Sequence, residues 1–405
     1  MLEQPRGMCQ AGNHCVWRSG FDMGPRGYII LAKSQPAVQR PWRGDKTDMK
    51  PTVISENAIS GAGVSRRHAL QRVAGVSLAT AAAQSSYGQA QSGQAQTVQA
   101  RSATTQEFLD LMKQLSNWNR WGKDDEMGTV NLITPAKRKQ AAGLVKEGAS
   151  FSMARNAEME AAVDNPQPII RKVNRLGASA PATGMGGTGD TFFISYHGYV
   201  HTHMDSLCHF LYDGKMYNGY SKDLVTENGA AKNGILNFKH GLVTRGVLMD
   251  MARHKGVDYL EPGTPIYPED LDAWEKKARV KVSSGDVLLV RTGRWARRDA
   301  KGPWPNSAGL AGLHMSCAKW LHERDIAILG GDGAQDVVPS GVAGISQPIH
   351  VLSLVAMGTP IFDNCDLELI GREADRRRRW EFLVTASPAA VPGGTGSVLN
   401  PIATF

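Results

Sequence analysis

The chain has 405 residues, 41% of them hydrophobic and 21% charged, which is an ordinary globular composition able to build a sizeable core. The net charge of +8 is uneven: residues 1–100 hold eleven Lys and Arg against five Asp and Glu, or +6, leaving +2 for the remainder. A nearly neutral body argues against a phosphate-binding surface and against nucleic acid as a partner. Five cysteines without a C-x-x-C pair exclude a zinc ribbon, a redox motif and a disulfide scaffold.

Taken in chain order, the first feature is SRRHALQRVAGVSLATAAAQSSYGQA, Ser65 to Ala90. A twin arginine precedes a short apolar run, Val73 to Ala83, and a polar tail of small residues. This resembles a twin-arginine export signal, so the expected location is the periplasm. The run is too short to span a bilayer, and no membrane span is expected elsewhere. More than sixty residues come before the signal, and translation from Met49 would explain them. Residues 1–100 are read as a largely disordered extension, and residues 105–405 as the folded domain.

TQEFLDLMKQLSNW, from Thr105, has helical spacing at Phe108, Leu109, Met112 and Leu115. A second helix is expected near Pro135 with Thr134 as its N-cap. FSMAR reads as a strand, and Ala157 to Asp190 as a long loop rich in Gly and Pro. Its GMGGTGD stretch has no lysine after it and reads as a mobile loop rather than a phosphate loop. TRGVLMDMA and GDVLLVRTG read as buried strands around a helix at Pro268 to Ala278. HMSCAKWLHERD reads as a helix, IAILGGD as a strand and PIHVLSLVAMG as a helix. Alternating elements of this kind predict an α/β domain with a mixed β-sheet. The RRRR run, Arg376 to Arg379, is expected on a solvated helix face paired with Glu373 and Asp375, with an anionic partner as the lesser reading.

The densest chemistry is in YVHTHMDSLCHFLYDGKMYNG, from Tyr199. If Phe192 to Asp205 is extended, His197, Tyr199, His201, His203 and Asp205 share one face. Imidazoles ending in a carboxylate suit zinc or manganese. A histidine-rich surface strand, or core histidines satisfied by backbone groups, would carry the same pattern. His209 lies beyond the expected strand and suits an acid/base better than a ligand. Cys208 reads as a buried small hydrophobe beside the site. Trp118, Trp121 and Tyr217 offer an aromatic wall for a planar substrate, or ordinary packing. No G-x-S-x-G elbow is present, which disfavours an α/β-hydrolase serine mechanism.

HTHMDSLCH resembles the H-x-G-T-H-x-D-x-P-x-H signature of the putative cyclase family, which includes bacterial kynurenine formamidases and isatin hydrolase. RWGKDDEMGTVNLIT, HFLYDGKMYNG and the tail PGGTGSVLNPIATF extend the resemblance over residues 105–405. It implies a swivelling β/β/α fold, one or two divalent ions, a small-molecule substrate and a homo-oligomer. It also implies hydrolysis of an amide, formamide or lactone-like bond by metal-activated water. A binding or lyase-type protein that retained the site is the alternative. By position, the resemblance makes His203, Asp205, His350 and Asp363 ligands and His209 the proton donor and acceptor. The signature's first histidine falls on Tyr199 and its glycine on His201. His201 is expected to supply the missing imidazole, with Tyr199 or water as the alternatives.

Overall fold

The computed structural model describes residues 100–176 and 187–405, so the twin-arginine segment and Met49 lie outside the described residues. Local signals set the helix starts. Thr104 and Glu107 form a reciprocal capping box at the helix Thr105–Gln114, and Thr134 accepts from Lys137 N at the start of Pro135–Ala142. The helix Pro268–Ala278 has the predicted bounds. It buries Leu271 and Trp274, each contributing about 1.5–3 kcal/mol through apolar burial. Trp274 Nε1 also donates to Leu248 O at 3.0 Å, so its one polar atom is satisfied in the core.

Nine strands form one mixed sheet: β1 (Ser150–Ser152), β2 (His203–Asp205), β3 (Leu242–Asp250), β4 (Val287–Arg291), β5 (Ile328–Gly331), β6 (Ile361–Asp363), β7 (Glu381–Ala386), β8 (Gly396–Val398) and β9 (Ile402–Thr404). Their order is β1-β9-β7-β3-β4-β5-β6-β2-β8. β3, β4, β5 and β6 are mutually parallel, and the strands outside them pair antiparallel. Apart from half-buried Val243 the parallel strands are buried, and their apolar stretches Val247–Met249, Val287–Val290 and Ile328–Leu329 reflect cover on both faces.

The region 157–190 departs from the predicted loop. Ile170–Leu176 pairs antiparallel with Gly187–Phe193, so the last glycines of GMGGTGD belong to a two-stranded ribbon. The extended run from Phe192 to Asp205 is not continuous either: strand geometry stops at Phe193 and resumes at His203. Among the described residues no helix is long and apolar enough to cross a membrane.

Candidate metal centre

The short β2 strand is wedged between β6 and β8, with His203 opposite Asp363 and Asp205 opposite Ile361. Alternation sends His203 and Asp205 to one face and Met204, fully buried, to the other. Thr202 ties down the strand entry. Its hydroxyl donates to Asn364 O at 2.7 Å and accepts from Arg155 N at 2.8 Å.

Asp205 is 0% exposed, and four imidazoles surround it. Oδ1 lies 2.9 Å from His197 Nδ1, 3.3 Å from His203 Nε2 and 3.8 Å from His209 Nε2; Oδ2 lies 3.8 Å from His350 Nε2. Neither oxygen has a hydrogen bond of acceptable geometry. A buried carboxylate in that state is costly unless a cation completes it. Two donor sets meet there: His197, His203 and Asp205 form one, and Asp205, His350 and Asp363 the other. The carboxylate is shared, one oxygen turned to each set.

The far sides of the imidazoles fix which nitrogen carries the proton. His203 Nδ1 lies 2.8 Å from His201 O, a pure acceptor, so Nδ1 donates and Nε2 presents its lone pair to the site. His350 Nδ1 donates to Asp336 Oδ2 at 2.6 Å, and its Nε2 lies 3.2 Å from Asp363 Oδ2. His197 Nε2 contacts Thr395 Oγ1 at 3.1 Å. Gln335 Nε2 donates to Asp363 Oδ1 at 3.0 Å, leaving Oδ2 for the centre. Outer partners of this kind orient metal-binding imidazoles and carboxylates. These donors therefore fit a divalent ion.

Electrostatics agree with that fit. Burial opposes ionisation of Asp205, yet the imidazoles of His209, His203 and His197 hold its carboxyl well below the usual carboxylate range. At His350, burial is outweighed by Asp363 and Asp336, which hold the imidazole well above its ordinary value. Such a negative field attracts a cation.

His209 belongs to neither donor set. Its ring stacks on His197, with centroids 3.8 Å apart and planes 6° from parallel, and it lines a cavity of about 280 Å³. Burial lowers its pKa to about 4, so it is neutral at pH 7. Cys208 is buried with its thiol pushed up by desolvation, which leaves it inert.

The structure thus brings together His203, Asp205, His350 and Asp363, with His209 beside them. His201 lies outside both donor sets. Because the chain from 194 to 202 is not a strand, the two-residue alternation does not extend back from His203. Buried His201 contributes to the lining of two neighbouring depressions, one with Arg155 and Ile194 and the other with Gln167, and its ring nitrogens are buried without a hydrogen-bond partner. Its contribution to the centre is its carbonyl. The imidazole grouped with His203 and Asp205 is that of His197, two residues before Tyr199.

The aromatic wall also differs. Tyr217 is fully buried and donates to Asp125 Oδ2 at 2.9 Å, which makes it core packing. Trp121 stacks against the Arg120 guanidinium at 4.7 Å and does not line this cavity. Tyr199 and Phe210 line it instead, with Phe210 5.0 Å from the His350 ring. Asp336 and Gln335 were not singled out from the sequence; each acts on a partner far along the chain, and no local pattern marks them. His197 had a signal, its place in the histidine row.

The family model described as Putative cyclase matches residues 114–335, more than half of the chain. A solved structure described as a novel cyclase is 30% identical, covering 72% of this chain and 100% of its own, with a TM-score of 0.64. Isatin hydrolase A from Ralstonia solanacearum is 16% identical over 65% of this chain and 93% of its own, TM-score 0.42. Isatin hydrolase A from Labrenzia aggregata is 17% identical over 65% and 94%, TM-score 0.44. No curated protein matches the sequence. The family match and the cyclase structure lead to one conclusion: this chain belongs to the putative cyclase family.

Proposed function

We propose that the protein is a metal-dependent hydrolase that opens an amide, formamide or lactone-like bond of a small molecule. The observation that carries this reading is Asp205: a fully buried carboxylate without a hydrogen bond, ringed by imidazole nitrogens whose outer partners turn lone pairs inward. His197, His203, Asp205, His350 and Asp363 would hold the ion, zinc or manganese by donor type. A divalent ion in such a site polarises a carbonyl oxygen and acidifies a bound water.

The chain's own residues would do the rest. His209, neutral and on the cavity wall, takes a proton as water attacks and returns it to the leaving nitrogen or oxygen, a role worth roughly 10²–10⁴ in rate. Tyr199 and Phe210 flank the substrate in an open cavity of about 280 Å³, a size that suits a small molecule.

Metal analysis of the full chain, followed by assays on N-formyl arylamines, cyclic imides and lactones, tests the proposal. Stoichiometric metal with turnover that a chelator abolishes is the expected result. Stoichiometric metal without turnover across the panel would favour a binding or lyase role, and absence of metal after reconstitution would refute the centre.

A further inference from the structure

The four-arginine run divides in two. Arg376 and Arg377 turn back to Glu373, Arg377 also reaches Glu147, and Asp375 pairs with Arg253 instead. Arg378 and Arg379 lie beyond the helix Glu368–Arg377 and line a cleft of about 690 Å³, facing Lys277, Arg279 and Lys281. None of these five cations makes an ion pair among the described residues. The one carboxylate in the lining, Glu381, is engaged by Arg245 Nη1 at 2.7 Å, and Arg245 is held by Asp286 as well. Arg379 has Nε and Nη2 buried without a hydrogen-bond partner.

Two of the cations also occupy costly backbone. Arg279 and Arg378 close the helices Pro268–Ala278 and Glu368–Arg377 in the left-handed region, at φ 53° and 52°, where glycine is the usual residue. A helix carboxyl end attracts a cation, which accounts for a basic residue at each end. It does not account for five unpaired cations around one cavity, where like charges repel. The near-neutral sum over the body conceals this, because the balancing carboxylates lie elsewhere.

We propose that this cleft binds a compact multivalent anion carrying phosphate groups. The guanidiniums of Arg279 and Arg378 provide planar forks that match phosphate oxygens two at a time, and Lys281 provides a point charge. Lys277 Nζ donates to Arg253 O at 3.3 Å and the Arg379 guanidinium lies over the Phe405 ring, so these two add positive field. The cleft shares no lining residue with the cavity of the metal centre, so the two sites can be tested apart. A free polyphosphate and an anionic lipid headgroup offer the same chemistry.

The test is calorimetric titration of the full-length protein with inorganic triphosphate, and in parallel a flotation assay with phosphatidylglycerol vesicles. The variant is Arg279→Gly with Arg378→Gly, which removes two charges and relieves the left-handed backbone, so the fold is not at risk. The control, Lys222→Ala with Lys319→Ala, removes the same charge from exposed positions outside the cleft lining. Saturable triphosphate binding that weakens at least about tenfold in the glycine variant, weakens with added salt and is unchanged in the control is the expected result. Vesicle binding alone with the same variant pattern would support the site and assign the phosphate to lipid. No binding of either probe, or equal loss in both variants, would overturn it.

Discussion

Asp336→Asn is the most informative single change at the metal centre. Asp336 is 1% exposed and accepts three hydrogen bonds, from Ile349 N at 2.6 Å, His350 N at 3.2 Å and His350 Nδ1 at 2.6 Å. Asparagine keeps one acceptor oxygen and turns an NH₂ group towards the other two donors. If the oxygen stays on Ile349 N, His350 Nδ1 must become an acceptor, and the imidazole proton moves to Nε2. That atom lies 3.2 Å from Asp363 Oδ2 and 3.8 Å from Asp205 Oδ2, so the lone pair meant for a cation is replaced by a proton. Loss of an outer partner of this kind typically costs 10–100-fold in metal affinity, or about 1.4–2.7 kcal/mol. The apparent Kd, read by competition against a chelator, should rise by that factor. Melting of the metal-free protein reports the separate structural cost of a lost charged hydrogen bond, about 1.5–3 kcal/mol. A lowered melting temperature with unchanged affinity per folded molecule would show that Asp336 only braces the loop, and the tautomer reasoning would fail.

His203→Ala and Asp205→Ala should each remove most of the bound metal and the turnover, as elemental analysis and the hydrolase panel would show. In His209→Asn, metal should remain while kcat falls by roughly 10² or more; metal lost together with activity would make His209 a ligand. His197→Ala should weaken metal binding, whereas His201→Gly should leave it within about twofold, since the His201 carbonyl that holds His203 survives the change; the reverse order would restore His201 as the ligand. Replacing Arg66 and Arg67 by lysine should retain the protein in the cytoplasm, a result that fractionation and N-terminal sequencing can check.

Much of the architecture could be read locally. Helix starts at Thr104 and Thr134 depend on one side chain reaching a backbone N–H three residues on, and the helix Pro268–Ala278 on its own periodicity and proline. The buried strands β3, β4 and β5 each hold a short apolar stretch, and His203 and Asp205 share a face because strand alternation holds over two residues. What failed was extending that alternation to His201, since it is valid only while the strand continues, and pairing with β6 and β8 sustains only His203–Asp205. Gathering His197, Asp336, His350 and Asp363 around one carboxylate needed the crossing of β2 with β6 and the packing of the 348–357 helix. Those are contacts between residues tens to over a hundred positions apart, and no local pattern encodes them. The same reason hid the basic cleft, because a sum of charges along the chain carries no information about which of them meet in space.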